Sequence, residues 1–409
     1  MTESFVKSRG RVFPKEDKIF GISKRAKEAI KTLGKDKVID ATLGVLTNDD
    51  GSFFVLPSVH EAFKNLEATE YASYASVSGI NGYRESVLSA FFYEYTPKRK
   101  VDAVATAGGT GAIKNAVSNY TEFGDNVLVH DWYWPNYNQI AGELGRRMTT
   151  FKFFDEEGNF NLKDLKKKVN DIFEKQDSLL LILNTPAHNP TGYSLTDSDW
   201  EGVVKILNER EENIVLLLDS SYMDYAGSPK GVRSFLPIIE ELKDNILIIV
   251  AYSMSKAFTL YGMRAGAMIA MSNSENVLKE FREANTYSSR ASWSNSPRAP
   301  QEILVHIFND EKLKDNIEKE REEIRNVLLE RGKIFQEEAE KVGLKMLPYR
   351  GGFFVSIPLK GSDEVCEKLE KRGVFLVPLS KGIRVSISGI SKEKIKMLPK
   401  CIKEVLDED

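Results

Sequence analysis

Between residues 101 and 272 short apolar runs alternate with stretches patterned as helices. VDAVATA (101–107), NVLVH (126–130), LLLILN (179–184), IVLLLD (214–219) and ILIIV (246–250) are apolar on both faces, as buried strands are. Thr149–Phe154 adds a further strand, and a last apolar run follows Arg264. Ala112–Tyr120, Leu162–Phe173, Trp200–Glu209 and Phe235–Leu242 carry helical spacing. Strands apolar on both faces need cover on both faces, and helical crossovers make neighbouring strands parallel. The expected fold class is therefore α/β, with a mostly parallel sheet covered by helices on both faces.

The flanks differ. Residues 1–36 are basic and polar and suggest an arm and a short helix; KVIDATLGVL (37–46) suggests a strand ending at Gly44; Val59–Leu66 is patterned as a helix. After Pro297 and Pro300 comes a charge-dense helical stretch, 301–341, with apolar positions at Leu313, Ile317, Ile324, Leu328 and Phe335; its charge reads as a solvated helix face. Residues 344–409 read strand, helix, strand, strand, helix. This predicts a smaller α+β domain. The expected division is 1–50 as arm and first part of the small domain, 51–305 as the large ligand-binding domain, and 306–409 as the rest of the small one.

Composition narrows the class. A chain of 409 residues, 42% apolar and 29% charged, suits a soluble globular protein of more than one core. A net charge of −3 offers no nucleic-acid footprint. Two cysteines make no disulfide framework, and four scattered histidines make no zinc pattern. The N-terminus lacks the apolar core of a signal peptide, and no run approaches the length of a membrane span. The expectation is a cytoplasmic enzyme.

Chemistry concentrates where strands end. After Ile246–Val250 the chain breaks into Ser253, Ser255 and Lys256, with Arg264 eight residues on. Burial lowers a lysine's pKa, and a neutral amine forms an imine with a carbonyl. A hydroxyl, an amine and a guanidinium at this spacing suit an aldehyde that also carries a phosphate, which is pyridoxal phosphate. Strand 101–107 runs into Gly108-Gly109-Thr110-Gly111, where glycines bring N–H groups close to an anion at a helix start. Asp219 ends an apolar strand, where a carboxylate needs a partner: an N-cap, a salt bridge or a protonated pyridine nitrogen. Tyr222 lies three residues on, and Asn189 sits in the turn Asn189-Pro190-Thr191-Gly192; both are placed to reach the ring oxygen. His188 is read as structural. Trp134 is either packing or a ring that stacks on the cofactor, and Arg384 either a surface pair or a bidentate carboxylate clamp.

Together these residues resemble the aspartate/aromatic aminotransferase family of the fold type I pyridoxal-phosphate superfamily, over nearly the whole chain. Ser253-Met254-Ser255-Lys256 with Arg264 resembles its Schiff-base segment and Gly109-Thr110-Gly111-Ala112 its phosphate loop. His188 to Gly192, Asp219 to Tyr222 and Trp134-Pro135-Asn136 match at the family's spacing. The resemblance implies a large domain with a sheet of the seven-stranded type and cofactor bound covalently to Lys256. It also implies a homodimer with shared sites, in which Tyr74 reaches the phosphate of the neighbouring subunit's cofactor. Arg290, in Arg290-Ala291-Ser292-Trp293, matches the arginine that binds an acidic side chain across the subunit boundary. Gly44 matches a glycine beside the substrate and Arg384 the clamp on the α-carboxylate. Three positions depart: Gly108 stands where a serine is frequent, Tyr137 where a histidine is common, and Trp293 in place of a tyrosine. The last two are expected near the substrate end.

The implied reaction is transamination between an L-amino acid, aspartate first and aromatic amino acids next, and a 2-oxo acid such as 2-oxoglutarate. Lys256, Asp219 and Tyr222 are the expected catalytic residues. An aromatic-preferring aminotransferase and a lyase or decarboxylase on the same scaffold are the alternatives. A regulator using this fold as a sensor would need a DNA-binding module, and no helix-turn-helix pattern precedes the glycine loop.

Overall fold

The computed structural model describes Phe5 and residues 17–408. Most of the expected N-terminal arm therefore lies outside the described residues, and a helix, Lys18–Leu33, follows it. No helix among the described residues is long and apolar enough to cross a membrane.

Seven strands form the main sheet: Lys100–Thr106 (β1), Asn126–His130 (β2), Arg147–Phe151 (β3), Ser178–Asn184 (β4), Asn213–Asp219 (β5), Ile246–Ser253 (β6) and Gly266–Ser272 (β7). Their order is β1-β7-β6-β5-β4-β2-β3. Only β7 runs antiparallel to its neighbours. Alternate residues go to opposite faces, so both faces are apolar. Leu180, Ile182, Leu217 and Ile249 meet Ile113, Val117 and Phe281 on one side. Leu181, Leu183, Leu218 and Val250 meet Trp200, Leu207 and Phe235 on the other. The register pairs Asn184 with Asp219 and Asp219 with Ala251. The carboxyl ends of β4, β5 and β6 are thus level, and their last polar residues stand side by side at one rim.

A second core gathers Ile39 and Ala41 with residues from Phe335 to Val405. Phe354–Pro358, Val377–Leu379 and Gly382–Ser386 make its antiparallel sheet. The expected strand 37–46 shrinks to Ile39–Asp40, paired with Val374–Phe375. Beyond it the chain runs on with its carbonyls held from outside. Ser386 N–H donates to Ala41 O at 2.9 Å, Ser386 Oγ to Leu43 O at 2.7 Å, and Ser388 Oγ to Val45 O at 2.9 Å. The expected helix 235–242 is a single turn, Leu236–Ile239. Residue 306, where the second part of the small domain was expected to begin, falls inside the helix Ala299–Asn309, whose Ile303, Leu304 and Ile307 lie in the larger core.

The helix Glu311–Lys341 bridges both cores, with Leu313 and Ile317 in the larger one and Phe335 and Ala339 in the second. Its charge is not all on a solvated face. Arg321, Arg325 and Arg331 are buried on the inward stripe with Leu328 and Phe335. Gly332 lets that stripe press on Tyr349: a Cβ there would lie 2.3 Å from the ring. Alanine is favoured over glycine inside helices by about 1 kcal/mol. Overpacking against a fixed ring costs more, about 1–3 kcal/mol. Gly332→Ala should therefore lower the thermal midpoint in a melt; a rise would show that Tyr349 yields freely.

Candidate active site

The rim of β4–β6 carries the candidate site. Lys256 lies in the one-turn helix Met254–Ala257, directly after β6. Ser253 Oγ caps that turn by accepting from Ser255 N–H at 3.3 Å. The lysine is partly exposed in the cleft, with its amine 5.2 Å from the Tyr222 ring centre and 5.9 Å from that of Tyr261. Desolvation lowers its pKa to about 8; Asp219 opposes the shift, and Arg264 and Arg384 add to it.

Asp219, 4% exposed at the end of β5, holds three hydrogen bonds. Its Oδ2 accepts from Tyr137 OH at 2.5 Å. Its Oδ1 accepts from Ser221 Oγ at 2.6 Å and Ser221 N–H at 3.2 Å. Burial, with Asp219 nearby, raises the Tyr137 pKa well above its ordinary value, so the phenol keeps its proton and donates. Tyr137 therefore supports the carboxylate and does not face the substrate end, which corrects the sequence expectation. The reason is the helix Asn136–Glu143: after Pro135 it turns Tyr137 inward onto the strand ends. Asn184 Nδ2 donates to Tyr137 OH at 3.3 Å, and Asn184 Oδ1 accepts from Asn189 N–H at 2.7 Å. Asn189 Nδ2 then reaches Tyr222 OH at 3.4 Å, and its Oδ1 accepts from Arg384 Nη1 at 3.2 Å. A continuous polar chain thus joins Asp219 to Arg384. Tyr222 is buried, and burial raises its pKa. Trp134 stands edge-on to Tyr137, ring centres 5.6 Å apart.

Arg384 is 3% exposed, and desolvation lowers its pKa to about 10. Its Nη2 donates to Thr42 O at 2.7 Å, and its guanidinium lies 4.5 Å from the Phe354 ring centre. No carboxylate of a described residue lies within ion-pair distance, and its buried Nε has no protein acceptor. Such a cation suits a ligand carboxylate. Gly44 sits on the same wall, where a Cβ would lie 2.4 Å from the Phe354 ring.

The phosphate end is a cradle. Arg264, in left-handed backbone, donates from Nη1 to Ser255 Oγ at 3.1 Å and Tyr261 O at 3.0 Å, and it too has no carboxylate partner among the described residues. Its Nη2 lies 2.7 Å from where a Cβ of Gly108 would sit, and Gly108 has φ +70°. A serine at Gly108 would be strained by the backbone and would push the Arg264 guanidinium aside, which accounts for that departure. Gly109 brings the helix Gly108–Asn119 against β6: a Cβ would lie 3.2 Å from Ser253 Cβ. Thr110 is half-buried in the first turn, and no side chain caps that helix. Free N–H groups, two hydroxyls and a guanidinium converge as a phosphate requires. The residues present therefore fit pyridoxal phosphate: a cradle at one end, an amine near the middle and a carboxylate at the other.

Two expected residues lie elsewhere. Tyr74 is 88% exposed. Arg290 is exposed near the end of the helix Glu275–Trp293 and donates to Ser294 Oγ at 2.7 Å. Their segments adjoin on one surface: Asn295 Nδ2 donates to Ala75 O at 2.8 Å, and Arg298 Nη1 to Ser73 Oγ at 2.9 Å. Trp293 packs on Gly111, 3.1 Å from where a Cβ would be, and so belongs to the glycine turn, not the substrate end. His188 is fully buried against His130 and Phe153, with Nδ1 2.7 Å from Thr191 Oγ1, as a structural residue is. Sequence reasoning missed Asn184 and Ser221, and it named Ser255 without its contact to Arg264. Asn184 carried the signal used for Asp219, a polar residue ending an apolar strand.

The comparisons with known proteins agree. The family model for "Aminotransferase class I and II" matches residues 36–402. A crystal structure of an aminotransferase from Anaerococcus prevotii is 36% identical, with TM-score 0.95, covering 98% of this chain and 99% of that one. The aromatic-amino-acid aminotransferase of Escherichia coli is 26% identical over 95% of this chain and 98% of its own length. The mitochondrial aspartate aminotransferase of Schizosaccharomyces pombe is 26% identical over 95% and 88%. The chain belongs to the class I and II aminotransferases, pyridoxal-phosphate enzymes that transfer an amino group between an amino acid and a 2-oxo acid.

Proposed function

We propose that the protein holds pyridoxal phosphate covalently on Lys256 and transfers the amino group of L-aspartate, and less readily of aromatic amino acids, to 2-oxoglutarate. The observation that carries this reading is the charge arrangement at the strand ends. A lysine amine with pKa about 8 lies among one buried carboxylate, Asp219, and two arginines, Arg264 and Arg384, without carboxylate partners among the described residues.

Arg264, Ser253, Gly109 and Thr110 would hold the phosphate, and Trp134 would pack on the ring. Asp219 would accept a hydrogen bond from the protonated pyridine nitrogen, while Tyr222 and Asn189 would donate to the phenolic oxygen. The cofactor supplies an aldehyde that exchanges amino groups and a cationic ring that takes up the electron pair left at Cα. Arg384 clamps the substrate α-carboxylate and, with Gly44 and Asn189 beside it, fixes which Cα bond faces the lysine. Lys256, once its amine is free, would take the Cα proton and hold it on Nζ. The rings of Tyr222 and Tyr261 flank the amine, and desolvation brings its pKa down to about 8, near working pH.

Tyr74 and Arg290 complete the neighbouring site in a homodimer: Tyr74 on the phosphate, Arg290 on an acidic side chain. Support comes from their exposure and from the adjoining of their segments on one surface. Residues 51–309 act as the cofactor domain, 17–50 with 342–408 as the smaller one, and the helix Glu311–Lys341 joins the two.

Four outcomes are expected. The neutral fraction of an amine grows about tenfold per pH unit below its pKa. Uptake of pyridoxal phosphate by cofactor-free protein, followed by absorbance, should therefore speed with pH and level off above about 8. Lys256→Ala should show neither the absorbance band nor turnover; transamination by that variant would refute the assignment. Arg290→Leu should lower kcat/KM for aspartate on the order of a hundredfold, since losing one partner of a charged pair costs about 2–5 kcal/mol. Phenylalanine turnover should change little, and equal losses would remove Arg290 from the substrate side. Tyr137→Phe removes a hydrogen bond to a carboxylate, worth about 1.5–3 kcal/mol. Cofactor titration should show at least roughly tenfold weaker binding; unaltered affinity would mean that Asp219 needs no help from the phenol.

A further inference from the structure

Three buried arginines on the helix Glu311–Lys341 reach past the helix to backbone carbonyls of different site segments. Arg321 Nε and Nη2 both donate to Ala257 O, at 2.9 and 2.6 Å. Ala257 is the residue after Lys256 and the last of its one-turn helix. The same guanidinium lies 4.5 Å from the centre of the Phe258 ring. Arg325 Nη1 donates to Asp224 O at 3.2 Å, two residues beyond Tyr222. Arg331 Nη1 donates to Ser388 O at 2.8 Å, and its Nη2 to Thr47 O at 3.0 Å, in the two segments that carry Arg384 and Gly44.

Three inward guanidiniums are a costly way to pack a helix. An unpaired buried charge is strongly unfavourable, and methionine or leucine would fill the same stripe. Their counter-charges lie on the outer side. Glu318 is 2.6 Å from Arg325 and 3.8 Å from Arg321, and Asp49 is 2.8 Å from Arg331. The inner N–H groups stay directed at the carbonyls. The planar fork of Arg321 on one carbonyl oxygen fixes direction as well as distance, which a lysine cannot do. The one-turn helix ends at Ala257, and Thr259 N–H donates to Lys256 O at 3.0 Å. The next carbonyl, Ala257 O, is the one that Arg321 takes.

We propose that Arg321 is a positioning residue for Lys256, and that Arg331 does the same for the substrate clamp from the other end of the same helix. The proposal rests on the reading of Lys256 as the cofactor lysine. One rigid element then sets the spacing between the amine and Arg384. Placement errors near 1 Å at a reacting group cost on the order of a hundredfold in rate.

The test uses cofactor-loaded, full-length protein and compares Arg321→Met, Arg321→Lys and Arg331→Met. Readouts are the pH midpoint of the cofactor's visible band, kcat and KM separately, and the thermal midpoint. Arg321→Met should shift the band's midpoint and lower kcat at least roughly tenfold with KM nearly unchanged. Arg321→Lys should recover part of both. Arg331→Met should raise KM several-fold and leave the band's midpoint where it was. If Arg321→Met does not fold, Arg321→Lys decides: a moved midpoint and lowered kcat support the proposal. A lower thermal midpoint with band and kcat as in the parent would overturn it, leaving Arg321 as packing only. Absence of the band from the unaltered protein would instead overturn the reading of Lys256.

Discussion

The site depends on a charge imbalance at the ends of the strands. Buried Arg384, half-buried Lys256 and exposed Arg264 have one buried carboxylate, Asp219, among them. Desolvation lowers the pKa of Lys256, and the two guanidiniums add to that. The lysine yields, because its amine can lose a proton near neutral pH and a guanidinium cannot. The surplus positive charge that remains is what a phosphate and a carboxylate neutralise. In the proposed reading a substrate amino acid and a phosphorylated cofactor would find their counter-charges already in place, with no protein carboxylate among the described residues to displace.

Holding that imbalance takes the rest of the molecule. The parallel sheet brings Asn184, Asp219 and the Lys256 turn level because β4, β5 and β6 pair in register. Tyr137 and Ser221 hold the Asp219 carboxylate in place by donating to it. The chain Asp219–Tyr137–Asn184–Asn189–Arg384 ties the ring end to the substrate end through hydrogen bonds alone. From behind, the helix Glu311–Lys341 reaches the segments bearing Lys256, Tyr222 and Arg384. Stability and placement are therefore hard to separate here.

Much of this was legible in the chain. Apolar runs set the main-sheet strands within three residues, and Asn126–His130 and Leu162–Phe173 matched at both ends. Lys256 and Asp219 stood out because charge at the end of an apolar run needs a reason, and Arg384 because it opened a strand. What stayed hidden depended on orientation. Tyr137 looked like a substrate-side residue until Pro135 and the helix after it turned the phenol onto Asp219. Arg321, Arg325 and Arg331 were lost in a charge-dense helix, since spacing shows which face a residue shares but not whether long arms reach carbonyls. The strand expected over 37–46 failed because side chains from 386 and 388 satisfy its carbonyls in place of a ladder.

The central claim is that one amine, that of Lys256, carries the cofactor. Borohydride reduction of the loaded protein, followed by peptide mass mapping, tests it directly. The account requires a single pyridoxyl adduct, on the peptide that contains Lys256. An adduct on any other lysine, or none after reduction of fully loaded protein, would contradict it.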